Sequence, residues 1–215
     1  YVRIIDFKRR ARRLKLSDVY YGFSLQLLVY LAALLDNAEA ILPHELSGGG
    51  LEVVPAGVLY LPLSEPMVKA DGPEDEETLA KKLLVEYRTG GLLLADTDVL
   101  KLMEAEISGR SELLPVGIKQ NGEIYKGSST YSLEELKLLV VYVKGLIKAL
   151  AEGIRAGQIA IEPYRKTGGR ERACQYCPYT AVCRFELGVS GCRYRYIAEI
   201  ADDEVLKRMK QAAAV

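Results

Sequence analysis

Asp6-Phe7-Lys8 sets an acid and a lysine two residues apart at the end of the apolar run VRIIDF (residues 2–7). In an extended strand, period-two geometry turns both side chains to one side of the sheet. A carboxylate there can hold a divalent cation such as Mg2+ through hard oxygen ligands. A lysine beside it can orient a water or neutralise charge developing on a phosphate. The same spacing also makes an ordinary surface salt bridge. Gln26 and Tyr30 stand four apart in GFSLQLLVYLAALLD (residues 22–36), hence on one face of an otherwise apolar helix. Either that face looks into a site, or the Gln finds backbone partners and the Tyr ring fills core. Between strand and helix, KRRARRLK (residues 8–15) carries six cations in eight positions. Its Arg9, Arg10, Arg12, Arg13 and Lys15 suit a phosphate backbone, or form a solvated loop.

A second group of chemistry-bearing residues lies near the other end. Cys174-x2-Cys177-x5-Cys183 are tightly spaced, and Cys192 follows after eight intervening residues. Without a secretion signal, four cysteines point away from disulfides. Thiolates this close suit zinc or an iron–sulfur cluster. Cys192 is either the fourth ligand of a local zinc site or a bystander. His44, the only histidine, follows a helix and a proline and reads as a loop residue. That leaves Ser–His and Cys–His nucleophilic chemistry without a base. No G-x-x-x-x-G-K-[ST] occurs, so this stretch carries no ATP-motor signature.

The elements that must position these residues follow from periodicity. Residues 2–7 read as a largely buried strand, and residues 22–36 as a mostly buried helix. Ser17 or Asp18 is a candidate cap for that helix or for a short lead-in turn. Residues 47–50, SGGG, form a loop. EVVPAGVLYLPL (residues 52–63) reads as a strand or hairpin, and its prolines suggest an edge position. The acidic stretch 71–77 leads into a helix ending near Arg88. Residues 96–107 suggest a short helix, and 120–131 carry turn signals. Ser132-x-x-Glu135 is a capping box before a long helix running to about Gly153, with Gly157 as its stop. Residues 158–164 are extended, and 202–213 form a terminal helix. The order β-α-β-α-α-α followed by a cysteine module fits an α/β or α+β core with a metal-bound C-terminal flap.

Composition sets outer limits. The 215 residues hold 29 Lys+Arg against 29 Asp+Glu, a net charge of zero, so only local clustering bears on nucleic acid. No run approaches the ~20 apolar residues of a membrane span. The chain begins at Tyr1, directly on an apolar run, and reads as a fragment.

IIDFK, a basic turn and then G-x-x-x-Q-L-L-x-Y (Gly22, Gln26, Leu27, Leu28, Tyr30) together resemble the RecB-type branch of PD-(D/E)xK nucleases. The Cys174, Cys177, Cys183 spacing is similar to that of its iron–sulfur members. GVLYLPL (57–63), S-x-E-E-L (132–136), G-x-I-A-I-E-P-Y (157–164) and A-C-Q-Y-C-P-Y-x-x-x-C-R-F-E (173–186) most resemble the AddB family, B subunits of bacterial helicase–nucleases. The resemblance implies a restriction-endonuclease-like α/β core, incomplete at its N-terminus, over residues 1–165. A cysteine-rich iron–sulfur flap and terminal helix would occupy 166–215. Asp6 would be a Mg2+ ligand and Lys8 the motif lysine. Gln26 and Tyr30 would contact the active-site backbone and the DNA phosphates. Arg9, Arg10, Arg12, Arg13 and Lys15 would track the strand. Cys174, Cys177 and Cys183 would hold a 4Fe–4S cluster whose fourth cysteine, like a further catalytic acid, lies upstream of Tyr1. The implied protein is a cytoplasmic DNA exonuclease subunit paired with an AddA-like helicase–nuclease subunit. It would cut single-stranded DNA during double-strand break repair. Two rival readings are a non-catalytic DNA-binding scaffold and a zinc-bound interaction domain. Family members place a small residue and Gly after the lysine, where this chain has Arg9 and Arg10.

Overall fold

The computed structural model describes residues 1–43, 52–64, 67–68, 72–169 and 172–213. His44 and the SGGG loop fall outside them. A four-stranded sheet has the order β1 (Val2–Lys8), β2 (Pro55–Pro62), β3 (Gly90–Leu94), β6 (Thr130–Tyr131). β1 and β2 run parallel, β3 runs antiparallel to β2, and β6 runs parallel to β3. A parallel neighbour requires a crossover. The crossover from β1 to β2 holds α1 (Leu16–Tyr20), α2 (Gln26–Asp36) and the short α3 (Ala38–Ile41). Between β2 and β3 lies α4 (Glu76–Glu86), capped by the Asp75 side chain, which accepts from Thr78 N. α5 (Thr97–Met103) and a hairpin of β4 (Gly109–Arg110) and β5 (Gly117–Ile118) separate β3 from β6.

The sheet's two faces feed two cores. On one, Val58, Tyr60, Leu92 and Leu94 pack with Leu16 and Val19 of α1 and with Leu27, Leu28 and Leu31 of α2. The long α6 (Leu133–Arg155) joins them through Leu136, Leu139, Val140 and Val143. So does the terminal α8 (Asp202–Ala213), through Val205, Leu206 and Met209. On the other face, Leu59 and Leu93 meet Leu100 of α5 and the hairpin region through Ile107, Leu114, Val116 and Ile118. The capping box of α6 forms as its sequence requires: Glu135 N donates to Ser132 Oγ, and Ser132 N donates to Glu135 Oε2.

Four expectations need correction. β2 is central, not an edge. Its prolines are its first and last residues, where a missing N–H costs the ladder least. β1 is only half covered, because Arg3, Ile5 and Phe7 face outward and are exposed. The second helix starts at Gln26, not near 22, and Ser17 and Asp18 lie inside α1 without capping it. β3 is missing from the expected order. Its GGLLL is buried at every position, so it shows no alternation to read.

Beyond α6, β7 (Tyr164–Lys166) pairs in parallel with β8 (Arg195–Ile197). Between them lie a 3-10 turn (Ala173–Tyr176) and the one-turn α7 (Thr180–Cys183). Tyr176, Tyr179, Val182, Leu187 and Val189 are all exposed there, and among the described residues of the segment no hydrophobic side chain is fully buried.

Candidate active site

The first strand alternates. Ile4, Asp6 and Lys8 face α2, and their neighbours face out. Because β1 and β2 run parallel, their carboxyl ends coincide, with Asp6 opposite Tyr60 and Lys8 opposite Pro62. Ligand clefts of α/β sheets form at such ends. The first turn of α2 is delivered to the same place. Lys8 Nζ donates to Gln26 Oε1 at 2.7 Å, and Gln26 Nε2 donates to Tyr30 Oη at 2.9 Å. Lys8 Nζ also lies 2.6 Å from Asp6 Oδ2. One continuous polar relay, Asp6–Lys8–Gln26–Tyr30, therefore runs from strand to helix. The acid and lysine turn toward the Gln-bearing helix, and both are largely covered, their side chains 18% and 25% exposed.

One atom of the relay is unsatisfied. Asp6 Oδ2 is buried and accepts no hydrogen bond, its contact there being the ion pair with the Lys8 ammonium. A buried carboxylate oxygen left with only a charge contact is costly. Hard oxygen of this kind is what Mg2+ takes, so Asp6 fits as a ligand. It is the only carboxylate in the relay, and among the described residues no group of three His, Cys, Asp or Glu side chains converges to hold a metal.

Beneath the relay lies a residue that sequence reasoning missed. The Tyr60 ring is buried in the central strand, with Lys8 Nζ 5.5 Å and Arg12 Cζ 5.4 Å from its centroid. Such cation–ring contacts hold both charges at the sheet's rim. Burial pushes the Tyr60 phenol above its ordinary value, with Arg12 and Lys8 opposing that shift. The available signal is Tyr60's place in GVLYLPL, a polar-tipped aromatic inside an apolar strand.

The basic connection divides into two sets. Arg9, Arg10 and Arg13 are exposed and form no ion pair among the described residues. Arg12 instead donates through Nη2 to Ser24 Oγ at 3.1 Å, and Lys15 pairs with Glu199 at 2.6 Å. The segment crosses the start of β3 at close range. A Cβ on Gly90 would stand 2.0 Å from the Arg12 carbonyl oxygen. Gly90 is thus what lets the arginines lie against the sheet, a second role not read from the sequence.

The cysteines are not brought together in this way. Cys174 lies in the 3-10 turn, Cys177 follows it, and Cys183 ends α7. The backbone N–H of Cys177 reaches the Cys174 carbonyl at 3.5 Å, so the C-x2-C pair spans one turn. All four thiols are free, and among the described residues no three of them converge in one group.

The profile of the PD-(D/E)XK nuclease superfamily matches residues 1–184. Among curated proteins, the B subunit of an ATP-dependent helicase/deoxyribonuclease from Thermoanaerobacter sp. (strain X514) is 40% identical over 211 residues, 98% of this chain and 18% of the relative. The corresponding B subunit of Clostridium acetobutylicum is 37% identical over 98% of the chain and 17% of its own length. That of Acetivibrio thermocellus is 35% identical, with 98% and 18% covered. The chain thus spans less than a fifth of the length of these relatives. Among the described residues no helix is long and apolar enough to cross a membrane.

Proposed function

This chain belongs to the PD-(D/E)XK nuclease superfamily, and on that premise we propose that it is the nuclease portion of an ATP-dependent helicase–nuclease B subunit. It hydrolyses DNA phosphodiesters during end resection and recombinational repair, in the cytoplasm and alongside an AddA-like helicase–nuclease subunit. The relatives are themselves B subunits of an ATP-dependent helicase/deoxyribonuclease, which supports the assembly. The observation that carries the chemistry is the Asp6–Lys8–Gln26–Tyr30 relay ending on an unsatisfied buried carboxylate oxygen.

Each residue has a separate task. Asp6 Oδ2 would ligate Mg2+. When bound, that ion supplies Lewis acidity toward the phosphoryl oxygens and lowers the pKa of a coordinated water. Lys8 carries three N–H donors, of which Gln26 takes one. The remainder stabilise charge that develops on the phosphoryl group or hold the attacking water. Gln26 fixes the ammonium, and Tyr30 fixes the amide so that its oxygen faces Lys8. Arg9, Arg10 and Arg13 take the DNA backbone.

In the intact protein, Asp6→Asn should abolish magnesium-dependent cleavage of single-stranded DNA and leave DNA binding in place. Cleavage that survives the substitution removes Asp6 from the mechanism. A second reading, a DNA-binding scaffold without hydrolysis, has one observation in its favour: Asp6 is the relay's only carboxylate. Wild-type protein that binds but never cuts with Mg2+ would decide for it.

A 4Fe–4S cluster on Cys174, Cys177 and Cys183 rests on their spacing alone, and no catalytic step depends on it. Anaerobic purification of the intact protein should give brown material containing iron and sulfide. Colourless protein containing zinc would instead support a thiolate zinc site.

A further inference from the structure

Beside the relay, a cavity of about 240 Å³ opens between the basic segment, α1, the loop before α2 and β7. Its walls are Arg12, Asp18, Phe23, Ser24, Tyr164 and Lys166. Phe23 and Tyr164 meet edge to face, with centroids 4.7 Å apart at 66°, and both rings are only partly buried. Asp18 and Lys166 face each other at 3.8 Å. Ser24 has φ 54°, the left-handed region that non-glycine residues seldom enter, and its hydroxyl receives the Arg12 guanidinium. Two residues on, Gln26 holds Lys8. Cavity and relay therefore share the short stretch 23–26, whose Ser24 and Gln26 Cα atoms are at most ~7.6 Å apart.

We propose that this cavity is a subsite for one unpaired nucleotide of the strand being cut. The base lies against the Phe23–Tyr164 rings, and its phosphate is held by Arg12. The inference rests on the nuclease reading and narrows it. Every base offers a π-face, so an aromatic platform beside a cation grips single strands without sequence preference. The volume equals roughly eight liquid waters, room for one pyrimidine. A base in duplex is stacked on both faces and paired at its edge, so it must leave the helix before it can enter. Specificity for single strands thus arises next to the scissile phosphate itself.

The test uses an oligothymidylate carrying 4-thiothymidine, bound to the intact protein without magnesium and irradiated. Crosslinks are expected on the peptides carrying Phe23 or Tyr164, and the same oligonucleotide annealed to its complement should give at least tenfold fewer there. No crosslink on either peptide, or equal yield from duplex, overturns the proposal. A second readout is cleavage with Mg2+. Phe23→Leu and Tyr164→Leu should raise KM for oligothymidylate roughly five- to a hundredfold, and Tyr164→Trp should retain the wild-type value. An abasic nucleotide at the matching position should penalise wild type by the same factor and the Leu variants by almost nothing. A penalty equal in wild type and variants sinks the stacking role. Ser24→Gly suits the positive φ and should fold where the Leu variants fail, yet it releases Arg12. It should cost roughly fivefold in KM, and an unchanged KM counts against the subsite. Crosslinks without any cleavage would end the nuclease reading and leave the subsite standing. Cleavage without the crosslink pattern would do the reverse.

Discussion

Gln26 shows how much one exposed side chain can carry. Its amide oxygen is the acceptor that fixes Lys8 Nζ, and its nitrogen is tied to Tyr30. A hydrogen bond to a charged group contributes about 1.5–3 kcal/mol. Gln26→Leu should therefore slow single-turnover cleavage by about ten- to a hundredfold. Because the residue is exposed, the melting temperature should barely move. A slow variant that also melts early would show that Gln26 holds the fold and not the ammonium. Tyr60 works from below: its ring lies under both Lys8 and Arg12, so its packing and the site's charge arrangement are not separable.

The elements answer to different constraints. β3 opens on two glycines because backbone, not side chain, lies over it. A Cβ at Gly90 would meet the Arg12 carbonyl oxygen at 2.0 Å, and one at Gly91 the Val58 carbonyl oxygen at 2.0 Å. Gly90→Ala should displace the basic segment. It should weaken DNA binding and lower stability together, measured by filter binding and by melting. A variant that melts early and still binds DNA normally would separate the two effects. α6 is amphipathic along its length but finds a core only for its first half. Leu139 is fully buried, and Leu150 is 54% exposed on the continuing stripe. Leu139→Ala should cost about 2–5 kcal/mol in denaturant unfolding, and Leu150→Ala about 0.5 kcal/mol or less. Equal costs would mean that the outer half is covered in solution.

At the scale of the molecule, the chain's last helix closes its first core. Val205, Leu206 and Met209 pack among residues of α1, α2 and α6. The junction is marked by Tyr131, whose hydroxyl donates to Asp202 Oδ2 at 2.7 Å. Burial first, and then the Asp202 carboxylate, push this phenol above its ordinary value of 10.0. Folding thus favours the protonated phenol. That contribution is complete below pH 10, the unfolded value, and declines as pH rises through the folded one. Tyr131→Phe should lower stability by about 1–2 kcal/mol at neutral pH. Its difference from wild type should shrink above pH 10. A difference that stays constant through alkaline unfolding would assign Tyr131 a packing role only.

The sequence by itself determined whatever is local. The capping box of α6, the limits of α8 and the one-sided projection of Asp6 and Lys8 follow from spacing along a single element. The same holds for Gln26 and Tyr30, one helical turn apart. Tertiary structure alone decided which elements meet. Strand order put β2 at the centre despite its prolines and inserted β3, whose uniform burial left no periodicity to detect. It also set Tyr60 under two cations and gathered Phe23 and Tyr164, far apart in the chain, around one cavity. Periodicity records which side of an element is apolar; it holds no information on which partner will cover that side, because the hydrophobic effect has no direction.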